Sequence, residues 1–187
     1  MSQETENMDF IDLTTDTDML NKLILLFVFD SMEVPMSESV VLDICTSSNP
    51  WIAYFECKTM LLELVDSSFI YEIVSEHTDP LYTITSEGRS CIGHFFSRIP
   101  ASLRETISAY VKANRMRFKR KQEYEYECNP NLDGSVSVAL KIVEPTKQIL
   151  KIEVNVSDKH AAKAICNVWE EKAATVYNAI FDIIAEV

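Results

Sequence analysis

Glycine is scarce in this sequence of 187 residues, in which it occurs only three times. The glycine-rich loops that cradle phosphate groups in nucleotide-binding proteins are therefore nearly excluded. Long apolar runs are also lacking, because the longest, residues 23–29, is far too short to cross a bilayer. The N-terminus is acidic and lacks the basic-then-apolar order of a signal peptide. We therefore expect no contact with a membrane.

Cysteine occurs five times, at positions 45, 57, 91, 128 and 166, with no close pair. An odd, scattered set is typical of reduced thiols in the cytoplasm rather than of a disulfide framework, so we expect a cytoplasmic protein. Cys91 and His94 lie one helical turn apart, which is half of a zinc site, but no second pair has suitable spacing. The simpler interpretation is that both are packing residues, and we expect no metal and no cofactor.

Motifs of catalysis are missing as well. The sequence has no glycine-x-serine-x-glycine elbow, and His77, His94 and His160 have no recognisable partner motif. The carboxylates are numerous but lie along solvated faces, without a pair that would flank a pocket. We therefore expect no catalytic residues and a protein that is not an enzyme.

The charge is distributed unevenly along the chain, whose net charge is −12. Residues 1–84 contain two basic and sixteen acidic residues, a net charge of −14. Residues 98–121 contain eight basic residues and one acidic residue, a net charge of +7. An acidic head is thus followed by a basic segment, and only the basic segment suits contact with phosphates.

The first half of the chain has three stretches of apolar residues at helical spacing and then two short stretches with strand character. This order predicts a winged helix-turn-helix domain, in which two helices support a third and a hairpin closes the small core. The predicted elements are a helix from Thr17 or Asp18, a helix capped by Ser37, a helix over residues 54–66, and strands over 69–75 and 81–84.

The second half predicts two further helices, three strands and a last long helix. Thr85 can cap the fourth helix, and Pro100 suits the start of the fifth. The connections between the strands are short and rich in turn residues, which implies an antiparallel meander. The strands are predicted over residues 122–128, 135–144 and 147–156, and the last helix over 157–185 with Ser157 as its cap.

These elements predict an α+β fold: a winged helix-turn-helix domain followed by a helix, a three-stranded antiparallel meander and a long C-terminal helix. The expected organisation is a flexible acidic N-terminus over residues 1–16, a winged-helix domain over 17–97 and a helix–β-meander–helix domain over 98–187.

Several strings of residues carry a resemblance. Residues 81–88, Leu-Tyr-Thr-Ile-Thr-Ser-Glu-Gly, resemble the tyrosine-x-hydrophobic-threonine-x-x-glycine signature that closes the wing in many bacterial winged-helix regulators. From about residue 17 to its end, the chain resembles an uncharacterised bacterial domain-of-unknown-function family. The resemblance implies a winged helix, a small β-meander, a C-terminal helix and a regulatory role, with no established activity. The matching residues are 54–55, 61, 63–65, 98–100, 103–104, 164–166, 169, 172 and 177.

The sequence departs from the family pattern at two places. The turn after the third helix normally contains glycine, and here it consists of Ser67 and Ser68. Position 62 is expected to be polar and exposed, and here it is Leu62. Both departures lie in or beside the helix that such regulators place in DNA.

The third helix is the element that a winged-helix regulator inserts into the major groove. We expect Tyr54, Lys58 and Thr59 near bases or backbone, with His77 at the tip of the predicted wing. One lysine between two glutamates, however, supplies little of the phosphate neutralisation on which DNA affinity depends. The alternative is a winged helix that has lost its cationic face and holds a protein partner through Leu62, Phe69 and their neighbours.

The basic segment supplies the other predicted DNA contacts. Lys112, Arg115 and Lys119 share one face of a helix, and Arg120 follows directly. In a dimer these residues would meet phosphates beside the third helices. The alternative is that they pair with the acidic head, within the chain or across a dimer.

The C-terminal helix has more apolar residues than one small meander covers. We expect a homodimer with Trp169, Val176, Ile180 and Ile184 in its interface, because winged-helix regulators usually read paired half-sites. The alternatives are a helix clamped within its own chain, or a ligand pocket beside the meander. The function expected from the whole is a transcriptional-regulator-like homodimer that binds duplex DNA; the alternative is a protein-interaction module.

Overall fold

The structure, a computed structural model, describes residues 4–75 and 79–185, with side chains from residue 16 onward. The chain divides into two compact units. Unit 1 is Met1–Ile73 with Pro80–Arg115, and unit 2 is Val74–Asp79 with Met116–Val187. Each unit contains one three-stranded antiparallel sheet together with helices, so the predicted α+β class is confirmed.

Unit 1 combines helices with a small sheet, and the end of its last helix belongs to unit 2. In chain order its elements are α1 (Glu4–Met32), β1 (Met36–Ser37), α2 (Glu38–Leu42), a π-helical turn (Asp43–Ser47), α3 (Tyr54–Asp66), β2 (Ile70–Ile73), β3 (Leu81–Ile84), α4 (Ser86–Phe95), a 3-10 turn (Phe96–Arg98) and α5 (Ala101–Glu123).

Helix α1 begins at Glu4, well before the predicted start at Thr17 or Asp18 and inside the stretch expected to be flexible. Neither glycine nor proline occurs before Pro35, so no residue in this stretch breaks a helix. Residues 23–29 are buried on every side of α1, which makes it a central helix rather than one with a single apolar stripe.

The sheet of unit 1 has the strand order β1-β3-β2, with both pairs antiparallel. Strand β1 was not expected from the sequence, because two residues are too few for an alternating pattern to show. Its second residue, Ser37, also caps α2 as predicted, and its side chain accepts a hydrogen bond from Val40 N at 3.4 Å.

Helix α3 has the predicted bounds and ends in a left-handed turn. Ser68 N donates to Val65 O and Phe69 N to Leu64 O, both at 2.9 Å, which is the Schellman pattern of helix termination. Ser68 has φ 60°, a conformation that favours glycine. The turn in which the family pattern places glycine therefore keeps its left-handed backbone although serine occupies it.

The stretch from Thr85 to Gly88 joins α3, β3 and α4. The Thr85 hydroxyl donates to Ser68 O at 2.8 Å and accepts from Gly88 N at 3.0 Å, so the predicted cap of α4 is confirmed. A Cβ on Gly88 would collide with Phe69 O and would lie 2.8 Å from Ile84 Cγ1. The threonine and glycine of the wing signature are thus required by the close approach of α4 to the end of α3.

Unit 2 contains a consecutive meander, order β4-β5-β6, and the long helix α6. The β5 residues 136, 138, 140 and 142 are buried against four α6 residues. Asp158 caps α6 rather than the predicted Ser157, because its carboxylate accepts hydrogen bonds from His160 N and Ala161 N. The elements are β4 (Tyr124–Pro130), β5 (Val136–Glu144), β6 (Lys147–Val156) and α6 (Lys159–Ala185).

We expect Ser68→Gly to stabilise the protein by roughly 0.5–1 kcal/mol, because glycine removes the steric cost of the left-handed backbone. Urea unfolding of the purified chain measures the difference. Ser67→Gly is the matched control: Ser67 has φ −83° and its hydroxyl donates to Glu63 O at 2.6 Å, so this change should destabilise. A loss of stability in Ser68→Gly would contradict the assignment of strain.

We expect Gly88→Ala to destabilise unit 1 by roughly 2 kcal/mol or more, because the added methyl group displaces α4 from the end of α3. Gly93→Ala on the same helix should stabilise by about 0.5–1 kcal/mol, since alanine favours helix and a Cβ there meets nothing within 4 Å. Denaturant unfolding of both variants measures the two changes in the free energy of unfolding. Changes of the same sign would refute the prediction.

Candidate functional site on the third helix

Helix α3 presents an apolar outer face. The residues that it buries in unit 1 are Cys57, Met60, Leu61 and Leu64. On the opposite side Phe55 is 82% exposed, Leu62 is 56% exposed and Thr59 is exposed too; Tyr54, in the first turn, is 48% exposed. We call these four residues together with Lys58 the α3 surface. Large apolar side chains that remain exposed on one element make the α3 surface a candidate for binding another molecule.

The lysines at and beside the α3 surface are paired with carboxylates. Lys58 Nζ lies 2.7 Å from Glu38 Oε1, and Lys22 Nζ lies 2.6 Å from Glu63 Oε2. The hydrogen bond to Glu38, with its negative charge, raises the pKa of Lys58. Glu56 accepts a hydrogen bond from Asn21 Nδ2 at 3.2 Å. The α3 surface therefore has little net positive charge to offer to phosphates.

The structure places the residues of the predicted DNA contacts on separate elements. Tyr54, Lys58 and Thr59 lie on α3. Lys112 and Arg115 lie on α5 within unit 1, and Lys119 and Arg120 lie on the part of α5 that belongs to unit 2. His77 lies outside the described residues.

Of the four predicted phosphate contacts on α5, Arg115 and Lys119 make ion pairs within the chain. Arg115 contacts Glu33 Oε2 at 2.7 Å and donates to Ser31 O at 2.9 Å, which joins α5 to the end of α1. Lys119 lies 3.6 Å from Glu123, one turn further along α5. The pairing of Arg115 with the acidic head is the arrangement that the sequence left as an alternative. Lys112 and Arg120 are exposed.

The residues of the expected dimer interface differ in exposure along α6. Trp169 is 3% exposed and donates from Nε1 to Lys141 O at 3.2 Å, so the sheet of its own chain covers it. Val176 and Ile180 are half-buried, and Ile184 is 76% exposed. Only the part of α6 beyond Ala173 leaves a broad apolar surface. Its exposed large residues are Tyr177, Phe181, Ile183 and Ile184.

In residues 4–75 and 79–185, no three or more histidine, cysteine or acidic side chains lie close enough together to hold a metal ion. His94 Nδ1 lies 2.7 Å from Ser90 O, and burial raises the pKa of Cys91. Among the same residues, no helix is both long and apolar enough to span a membrane.

The family of the chain follows from a comparison over most of its length. The profile of the domain of unknown function DUF4364 matches residues 21–184. The chain belongs to this family. The match extends from α1 to the last turn of α6 and so includes both units. Comparison with curated proteins and with solved structures gives no significant match.

Sequence reasoning overlooked Phe55, the most exposed residue of the α3 surface. A signal was present: Cys57, Leu61 and Leu64 define the buried stripe of α3, and position 55 projects to the opposite side of a helix with 3.6 residues per turn. The same geometry places Leu62 outward. The exposure of both residues thus follows from the helical spacing.

Proposed function

We propose that unit 1 is a winged-helix domain and that the protein is a cytoplasmic, transcriptional-regulator-like homodimer that binds duplex DNA. The observation that carries this proposal is the strand order β1-β3-β2, with α2 and α3 between β1 and β2. A winged helix has this arrangement, in which the short first strand adds to the hairpin that follows the third helix. The wing signature, with Thr85 and Gly88 in structural roles, supports the same assignment.

In this proposal α3 enters the major groove with Tyr54, Lys58 and Thr59, and His77 belongs to the wing. Lys112, Arg115, Lys119 and Arg120 neutralise phosphates. The ion pairs that now hold Lys58 and Arg115 are partly exposed, and such pairs stabilise by only about 0–1 kcal/mol, so phosphates can replace the carboxylates.

The net charge limits the affinity that this proposal allows. Unit 1 contains seven basic and sixteen acidic residues, a net charge of −9. Most of the affinity of nonspecific DNA binding comes from cations that release counterions from phosphates. We therefore expect binding that is weak at physiological salt and falls steeply as salt rises.

A second candidate function is the binding of a protein partner through the α3 surface. It is favoured by the exposure of Phe55 and Leu62 beside a lysine that a carboxylate already neutralises. Aromatic side chains with few charges around them are typical of the centre of protein interfaces. The charge of the α3 surface favours this candidate, whereas the topology of unit 1 supports DNA binding.

The substitution Leu62→Lys separates the two candidates. If α3 lies in a DNA groove, the added cation should tighten binding to a nonspecific duplex severalfold at low salt and steepen the salt slope by about 0.9 for one more phosphate contact. The double variant Lys119→Ala and Arg120→Ala should weaken binding and flatten the slope. Fluorescence anisotropy over a salt series measures both quantities.

Leu132→Lys is the matched control, because Leu132 is fully exposed in the loop between β4 and β5 and gains the same charge. If DNA binds through α3, Leu62→Lys should tighten duplex binding and steepen the salt slope, and Leu132→Lys should change both much less. Equal effects of the two lysines, or no measurable duplex binding at low salt, would reject DNA binding through α3 and leave the protein-binding candidate.

The homodimer is proposed to form through the end of α6. We expect light scattering to give about twice the chain mass of 21.3 kDa, and Ile184→Asp to give the monomer, because a buried carboxylate without a partner is costly. Val168→Asp is the control, since Val168 is also exposed but lies on the opposite face of α6 from the buried Trp169 stripe. A monomeric unmodified chain at micromolar concentration would contradict the proposal.

A further inference from the structure

Two thiols that are far apart in the sequence meet in unit 2. Cys128 Sγ and Cys166 Sγ lie 3.0 Å apart, although 38 positions separate the residues. Cys128 is exposed on β4, an edge strand, whereas Cys166 on α6 is only 6% exposed. All five cysteines of the chain are free thiols in the structure.

The register of the sheet explains this meeting. Cys128 pairs with Val138 on β5, so both side chains point to the same face of the sheet. Val138 is fully buried in the core beneath α6, together with Cys166. Cys128 therefore lies on the helix side of the sheet, in the edge strand β4, and the residue is exposed.

We propose that Cys128 and Cys166 form a reversible intramolecular disulfide when the chain meets a hydroperoxide such as hydrogen peroxide. The sulfur atoms need to approach by only about 1 Å to reach the bond length of about 2.05 Å. The bond would link the edge strand β4 covalently to α6 and so fasten the open edge of the meander.

The first step takes place at Cys128, the exposed residue of the pair. Deprotonated Cys128 attacks one oxygen of hydrogen peroxide, the O–O bond breaks, and hydroxide leaves and takes up a proton to form water. Cys128 is then a sulfenic acid. A small oxidant suits this position because it needs access to one sulfur only.

The second step closes the disulfide. The sulfur of Cys166 attacks that of Cys128, the S–O bond breaks, and the departing hydroxide takes the Cys166 proton to form a second water. Two thiols are thereby oxidised and one peroxide is reduced. Burial, reinforced by the hydrogen bond to Cys128, raises the pKa of Cys166 to about 11, so Cys166 retains its proton until this step.

Unit 1 contains a second thiol pair that differs in exposure. Interaction with Cys57 and burial raise the pKa of Cys45, whereas interaction with Cys45 lowers the pKa of Cys57. Both residues are fully buried, so oxidants cannot reach either sulfur in the folded chain. This pair serves as an internal comparison: the thiols are close together in both units, but only unit 2 exposes one of them.

The test treats the full chain with hydrogen peroxide, blocks the remaining thiols with an alkylating reagent, and measures the intact mass and the peptide map. We expect a mass loss of about 2 Da before alkylation, a Cys128–Cys166 cross-linked peptide, and full reversal by dithiothreitol. Cys45 and Cys57 should be alkylated only after denaturation. Cys128→Ser and Cys166→Ala should each abolish the cross-link, and Cys91→Ser should leave it intact.

Two outcomes would overturn the proposal. In one, Cys128 gains about 32 Da as a sulfinic acid while Cys166 stays reduced, which would mean that the two sulfurs do not react with each other. In the other, the only disulfide joins Cys128 residues of two chains. Both results can be read on the unmodified chain, so the test does not depend on the folding of any variant.

Discussion

The contact between the start of α4 and the end of α3 is the constraint on which unit 1 depends. A single hydroxyl, that of Thr85, caps α4 and donates to the carbonyl oxygen of Ser68 in the turn after α3. Gly88 lets the first turn of α4 approach the Phe69 carbonyl. Because α3 ends at this contact and β3 leads into it, the contact joins three elements of unit 1 at one point.

The two candidate functions differ in what the α3 surface exchanges on binding. DNA would replace the Glu38 carboxylate beside Lys58 with a phosphate, and a partly exposed ion pair of this kind stabilises by only about 0–1 kcal/mol. A protein partner would remove Phe55 and Leu62 from water. Full burial of a large apolar side chain contributes about 1.5–3 kcal/mol to the free energy of binding. Burial of these apolar side chains favours a protein partner, while the net charge of −9 on unit 1 opposes the approach of DNA.

The spacing of apolar residues predicted most helices and strands, because in these elements the spacing repeats often enough to be recognised. Helix α3 and strand β6 have the predicted bounds. Strand β1 is too short for any period, and it forms because β3 presents an open edge to Met36 and Ser37. The start of α1 was misplaced since a cap at Thr17 or Asp18 is a local signal, whereas the absence of helix breakers lets the helix extend to Glu4. Ion pairs such as Arg115–Glu33 join distant residues and have no sequence pattern.

The cysteines illustrate why spacing alone misjudges chemistry in a β-sheet. A search for neighbouring thiols finds none, because Cys128 and Cys166 are brought together by the pairing of β4 with β5 and by the packing of α6 on that sheet. The position of Cys128 depends on the register of β4 against β5, because a shift of one residue would turn its side chain to the opposite face of the sheet. Proximity of two thiols is also not enough for oxidation, since Cys45 and Cys57 interact with each other but are both fully buried. The proposed disulfide requires an exposed cysteine beside a buried one, and the edge position of β4 provides the exposed cysteine.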